Sequence, residues 1–194
     1  MNNRSNIVLI GMPGAGKSTV GVILAKRLSW AFVDTDVLIQ ISQGRSLQDI
    51  VDTDGYLGFR RVEEDLLLRL SMSKHVIATG GSAVYSDAAM THLKSDGVVV
   101  FLSVALPKLE SRIRDYETRG LAKRLDQTLA DLFFEREPLY AKFADITIDC
   151  ADLRQEQVCD RILDKLGSPA SLRLDKKRVQ PTRASGGGVN QDGA

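Results

Sequence analysis

The residues best suited to chemistry form one run near the amino terminus, Gly11-Met12-Pro13-Gly14-Ala15-Gly16-Lys17-Ser18-Thr19. The run matches G-x-x-x-x-G-K-[ST], with a strand pattern before it and a helix pattern after it. Glycines let successive backbone N–H groups turn inward around phosphate oxygens without a Cβ clash. The helix that follows presents free N–H groups and the positive end of its dipole to an anion. Gly14, Ala15, Gly16 and Thr19 therefore belong to a phosphate cradle. Lys17 supplies a cation to the β- and γ-phosphates, and the Ser18 hydroxyl joins a magnesium shell. The expected ligands are ATP and Mg²⁺. The motif alone does not separate ATPases, GTPases, nucleotide kinases and metabolite kinases. The chain has no N-K-x-D guanine signature and no room for a motor's extra domains.

Five further segments could complete such a site. Asp34-Thr35-Asp36 follows a strand pattern. Two carboxylates there can face one cleft, one toward metal-bound water and one toward an acceptor hydroxyl. Equally, Asp34 or Thr35 can cap the next helix. Arg60, in Phe59-Arg60-Arg61-Val62-Glu63, is read at the start of a long helix, where a cation opposes the dipole. A guanidinium placed there can clamp a carboxylate, or can be a plain surface arginine. Thr79-Gly80-Gly81-Ser82 lies where α/β enzymes place ligand loops, and also fits a tight turn. Arg112, Arg114, Arg119, Lys123 and Arg124 form a basic stretch around Gly120 that fits a mobile lid, about residues 112–126, or a solvated charged loop. Arg136, just before Pro138, adds another cation.

Short apolar runs at 7–10, 31–33, 75–78, 97–102 and 146–148 read as strands, several of them ending at a glycine or an aspartate. Helical spacing covers 17–28, 35–42, 46–51, 59–70, 86–93, 106–114, 125–142 (broken or kinked at Pro138) and 153–166. Such alternation predicts an α/β fold, a parallel sheet with crossover helices on both faces. The 194 residues fit one such domain, residues 1–166. From 167 onward Gly, Ser, Pro and basic residues dominate, which predicts a disordered basic tail. Net charge is +1, which points to neither nucleic acid nor membrane as a partner. Cys150 and Cys159 are too few for a disulfide framework and read as reduced thiols. No stretch is apolar enough to serve as a signal peptide or membrane span, so a cytoplasmic protein is expected.

Taken together, the segments resemble the shikimate kinase family from about residue 7 to 166: the phosphate loop, D-x-D, G-F-R-x-x-E, T-G-G, a lid arginine and R-x-P-L-Y, in that order. The resemblance implies a P-loop NTPase fold with a five-stranded parallel sheet and a mobile lid. It implies Lys17 and Ser18 for ATP and Mg²⁺, Asp34 holding the metal through water, and Asp36 binding ring hydroxyls and acting as base. Arg60 and Arg136 would grip the shikimate carboxylate, Gly81 would bond through its backbone, and Glu63 would support the arginines. Arg119 would be the lid arginine between the substrates, and Arg112 would lie against adenine. The chain departs from the family pattern at three places: Ser82 replaces a third glycine, Arg119-Gly120-Leu121-Ala122 replaces R-P-L-L, and Val51 replaces an aromatic.

The expected activity is ATP-dependent phosphorylation of the 3-hydroxyl of shikimate, by a monomer acting on a small-molecule substrate. A sister kinase for another hydroxy-acid such as homoserine is an alternative. So is a nucleotide-binding relative without acceptor chemistry. A nucleotide kinase would need an aromatic or amide to read a base, which Asp36 and Gly80-Gly81 do not offer.

Overall fold

The computed structural model describes residues 4–112, 122–124 and 126–167. The expected tail beyond Gly167, and Arg119 with most of the expected lid, lie outside the described residues.

All five expected strands form: β1 (Asn6–Ile10), β2 (Ala31–Asp34), β3 (His75–Ala78), β4 (Gly97–Ser103) and β5 (Ile146–Asp149). They make one parallel sheet in the order β2-β3-β1-β4-β5. Every residue of β1 is buried, because helices cover both faces of the central strand, and this is why the run is apolar without alternation. Leu9 pairs with Ala78 of β3 on one side and Val100 of β4 on the other. The chain leaves β1 toward β2 on one side of the sheet, then returns from β3 across β1 to β4. The crevice beyond the carboxyl ends of β1 and β3 is therefore the switch point where open α/β sheets bind ligands.

The helices are α1 (Lys17–Leu28), α2 (Thr35–Gln43), α3 (Leu47–Arg69), α4 (Asp87–Asp96), α5 (Leu106–Arg112), α6 (Leu129–Phe143) and α7 (Gln155–Leu166), with a 3-10 turn at Ala83–Tyr85. The main core spans both faces of the sheet, with Leu9, Leu24, Met90 and Leu102 fully buried. A smaller cluster of Ile39, Ile50, Phe59 and Ala122 joins α2 and α3, with Val51 at its edge.

Three expectations are corrected. The two helices read at 46–51 and 59–70 run as one, interrupted only at Gly55, whose φ of 72° and ψ of 169° are not helical. The second segment starts just after Gly55, so Arg60 lies in its second turn, where the dipole argument has little force. Helix α6 starts at Leu129 and not at Leu125, because Thr128 and Asp131 form a capping box. It then continues through Pro138 to Phe143. Proline removes one backbone donor there, and the fully buried Arg136 and Tyr140 anchor the turns on either side.

Candidate active site

The loop between β1 and α1 takes positive φ at Gly11, Gly14 and Gly16 (143°, 80° and 97°). At Gly11 a side chain is also excluded by space, since a Cβ would lie 2.7 Å from the Leu102 carbonyl oxygen. Lys17 is buried and folds back over the loop, donating to the carbonyls of Gly11 (2.8 Å) and Met12 (3.0 Å). Burial lowers its pKa to about 8, although Asp36, Asp34 and Glu63 all pull it upward. Ser18 Oγ donates to Asp34 Oδ2 at 2.5 Å, and Asp34 Oδ1 accepts from the Asp36 backbone N–H at 3.0 Å. Asp34 thus caps α2 and also meets the phosphate loop through Ser18. Thr35 does not cap; its hydroxyl accepts from the Gly80 N–H at 3.0 Å and ties the start of α2 to the loop after β3.

One cavity of about 520 Å³ joins the two ends of the site. Gly14, Gly16, Lys17, Ser18 and Thr19 line it at the phosphate end, and Asp36, Phe59, Gly80, Gly81 and Arg136 at the other. Ala15 is buried and contributes only its backbone to the turn, where its N–H donates to Met12. Arg112 also lines the cavity and reaches the Gly14 carbonyl at 3.3 Å. The two ends touch: a methyl group on Gly81 would sit 2.8 Å from Arg136 Nη1 and 2.9 Å from Pro13 Cδ. Burial is the first cause that raises Asp36 to about 6; Lys17 opposes it and Asp34 adds to it. Glu63 is raised to about 7, again by burial first and then by Asp36. Its Oε2 accepts from Ser82 Oγ, while its Oε1 is buried without a partner and faces Gly80.

A family model described as Shikimate kinase matches residues 13–167. The chain belongs to the shikimate kinase family. It is an ATP-dependent small-molecule kinase. The shikimate kinase of Thiobacillus denitrificans is 38% identical over 154 residues, which is 78% of this chain and 84% of that protein. The solved shikimate kinase of Acinetobacter baumannii in complex with shikimate superimposes with a TM-score of 0.78 at 33% identity, covering 85% of this chain and 94% of that one. The shikimate kinase of Aquifex aeolicus gives a TM-score of 0.72 at 35% identity, covering 85% of this chain and 98% of that one.

For a shikimate kinase the placement of the arginines is informative. Arg136 is fully buried, donating from Nη2 to the Ala122 carbonyl (2.8 Å) and from Nε to the Tyr85 hydroxyl (3.2 Å). Arg60 does not line the same cavity. It lines a neighbouring one of about 380 Å³, with its guanidinium 3.3 Å from the centre of the Tyr85 ring. Arg119 lies outside the described residues. The family's third glycine is here Ser82, whose hydroxyl is committed to Glu63. Glu63 bonds Ser82 and also feels the charge of Arg136; a second carboxylate beside the arginines is Glu135, whose Oε1 is 3.9 Å from Arg60 Nη2 and accepts from Tyr85 at 2.6 Å. Tyr85, Glu135 and the cleft-lining Gln155 are absent from the residues that the sequence singles out. A residue directly before Arg136 and a tyrosine three residues after the glycine loop's end were the available signals for the first two.

Proposed function

We propose that this cleft transfers the γ-phosphoryl group of ATP to the 3-hydroxyl of shikimate, giving ADP and shikimate 3-phosphate. A single cavity lined by Lys17 and Ser18 at one end and by Asp36, Gly81 and Arg136 at the other carries the reading. In this reading both reactants share the one open cleft, with their reacting groups in line between Lys17 and Asp36.

Lys17 leaves its two carbonyl partners for the β- and γ-phosphates, where a buried cation has its largest effect on developing charge. The Ser18 hydroxyl and the Asp34 carboxylate beside the loop are a donor set suited to magnesium that shares its shell with phosphate oxygens and water. Among the described residues no group of three or more His, Cys, Asp or Glu side chains could hold a metal without such help. Bound there, magnesium supplies neutralisation of phosphate charge. Asp36 accepts a hydrogen bond from the acceptor hydroxyl and takes its proton as transfer proceeds. Arg136, assisted by Arg60, meets the acceptor carboxylate with a planar, bidentate donor fork. The Gly81 backbone is available at close range because no side chain stands there. Arg119 and Arg112 are assigned by motif to the transferred phosphate and to the adenine side. No described helix is long and apolar enough to cross a membrane, and the proposed working unit is a cytoplasmic monomer.

A coupled ADP-release assay tests the proposal with shikimate beside homoserine, gluconate, quinate and nucleoside monophosphates. Rapid, magnesium-dependent turnover with shikimate alone is expected, and Lys17→Met should reduce it by about 100-fold or more with the fold intact by circular dichroism. Preference for any other acceptor would refute the shikimate assignment.

A further inference from the structure

Both acceptor-side arginines meet at Tyr85, the last residue of the 3-10 turn. The Arg60 guanidinium carbon lies 3.3 Å from the ring centre and that of Arg136 lies 5.2 Å from it. The Tyr85 hydroxyl accepts from Arg136 Nε and donates to Glu135 Oε1. One phenol therefore holds one cation on its face and the other on its oxygen. The two arginines are treated differently by their surroundings. Arg136 is bonded on Nε and Nη2 and lines the phosphoryl-transfer cavity. Arg60 lines the neighbouring cavity, has Glu135 at the long distance of 3.9 Å, and leaves a buried Nε without a partner. A seat that leaves a buried donor unmet is one a side chain can readily leave for a better anion.

We propose that Tyr85 is a positioning residue whose ring holds Arg60 in a withdrawn seat outside the transfer cavity, from which the acceptor carboxylate draws it. The inference rests on the proposed acceptor being a carboxylate-bearing alcohol. Its energetic content follows from two states of one side chain. The acceptor binds best to molecules whose Arg60 is free, so apparent affinity is reduced by the fraction seated on the ring. The cation–π contact sets that fraction. Ring and hydroxyl have different main tasks: the ring, at 3.3 Å from Arg60 and 5.2 Å from Arg136, chiefly holds Arg60, and the hydroxyl bonds Arg136.

Two substitutions separate these tasks. Tyr85→Phe keeps the ring and loses the hydroxyl; Tyr85→Leu loses both. Their comparison cancels the shared loss at Arg136 and isolates the ring. Titration calorimetry of the full chain should give a shikimate dissociation constant about 3-fold to 10-fold lower in Tyr85→Leu than in Tyr85→Phe, with MgADP affinity equal in the two. Equal or weaker shikimate binding by Tyr85→Leu overturns the proposal. The second measurement uses the wild-type chain labelled with ¹⁵N-arginine, with the Arg60 Nε–Hε resonance assigned by its loss in Arg60→Lys. It should be shifted upfield by the ring in the free protein and return toward the ordinary position with saturating shikimate, but not with MgADP. A resonance at the ordinary position in the free protein, or one unmoved at shikimate saturation, overturns the proposal. If calorimetry detects MgADP but no shikimate, the acceptor assignment fails and the release step fails with it. A ring-shifted resonance in the free protein then distinguishes that failure from the absence of the seat.

Discussion

Lys17 and Asp36 pull against each other across the cavity, and their protonation should govern the pH profile. In the free enzyme Asp36 must be ionised to accept the hydroxyl's hydrogen bond and Lys17 must be charged to hold phosphate. With Asp36 at about 6 and Lys17 at about 8, kcat/KM should rise through pH 6 and fall above pH 8. A profile flat from pH 5 to 9.5 would remove one of these groups from its assigned role. Ser82 carries a second expectation. Its hydroxyl is the hydrogen-bond partner of the buried Glu63 carboxylate. Ser82→Gly restores the family's glycine but leaves that carboxylate unmet, and should destabilise the protein by about 1–3 kcal/mol at pH 8 in urea unfolding. Lys17 and Ser18 were readable because their partners lie within the motif or one strand away. Ser82 and Glu63 are 19 residues apart, and Tyr85 and Glu135 are 50 apart. No local pattern ties such pairs together; only the packing of α3, the 3-10 turn and α6 does so.

The loop after β3 shows what an element must keep clear. A methyl group on Gly80 would run into Glu63 Oε1 and lie 2.8 Å from Asp36 Oδ1. Gly80→Ala must therefore displace the buried Glu63 carboxylate and the half-buried Asp36, the proposed base. Activity with shikimate should fall by about a hundredfold, as expected when reacting groups move by around an ångström, while nucleotide binding by calorimetry stays near normal because the phosphate loop is untouched. Loss of both together would mean the loop supports the whole site. The strands were legible because short apolar runs ending in glycine or aspartate have few other uses in a chain of this composition. Helix ends were less so. The segments 46–51 and 59–70 read as two helices, yet only the single residue Gly55 is non-helical between them and helix resumes at once. Leu125 fitted the apolar rhythm of α6, but the Thr128–Asp131 box decides where that helix starts. Pro138 signalled a break or a kink, and the helix runs on through it between the buried Arg136 and Tyr140.

At the scale of the whole molecule, the buried carboxyls make stability a function of pH. Glu63 titrates near 4.5 when unfolded and near 7 when folded. Between those values the native state binds more protons than the unfolded chain, so unfolding free energy should fall as pH rises and level off above about 7. Asp36, raised from 3.8 to about 6, adds to the same slope at its lower end. The Glu63 contribution is at most on the order of 3 kcal/mol, and Glu63→Gln should flatten the curve between pH 5 and pH 7. An unchanged slope in that variant would place the titration elsewhere. The sheet order sets a different kind of limit. The phosphate loop leaves β1 and the glycine loop leaves β3, and these strands are direct hydrogen-bonded neighbours, Leu9 against Ala78. The loops that carry the proposed donor and acceptor groups thus leave the sheet one inter-strand spacing apart, about 4.8 Å, a ruler fixed by backbone ladders and indifferent to surface change. Substitutions on these loops can change the groups that read an acceptor while the two points from which the loops depart stay fixed.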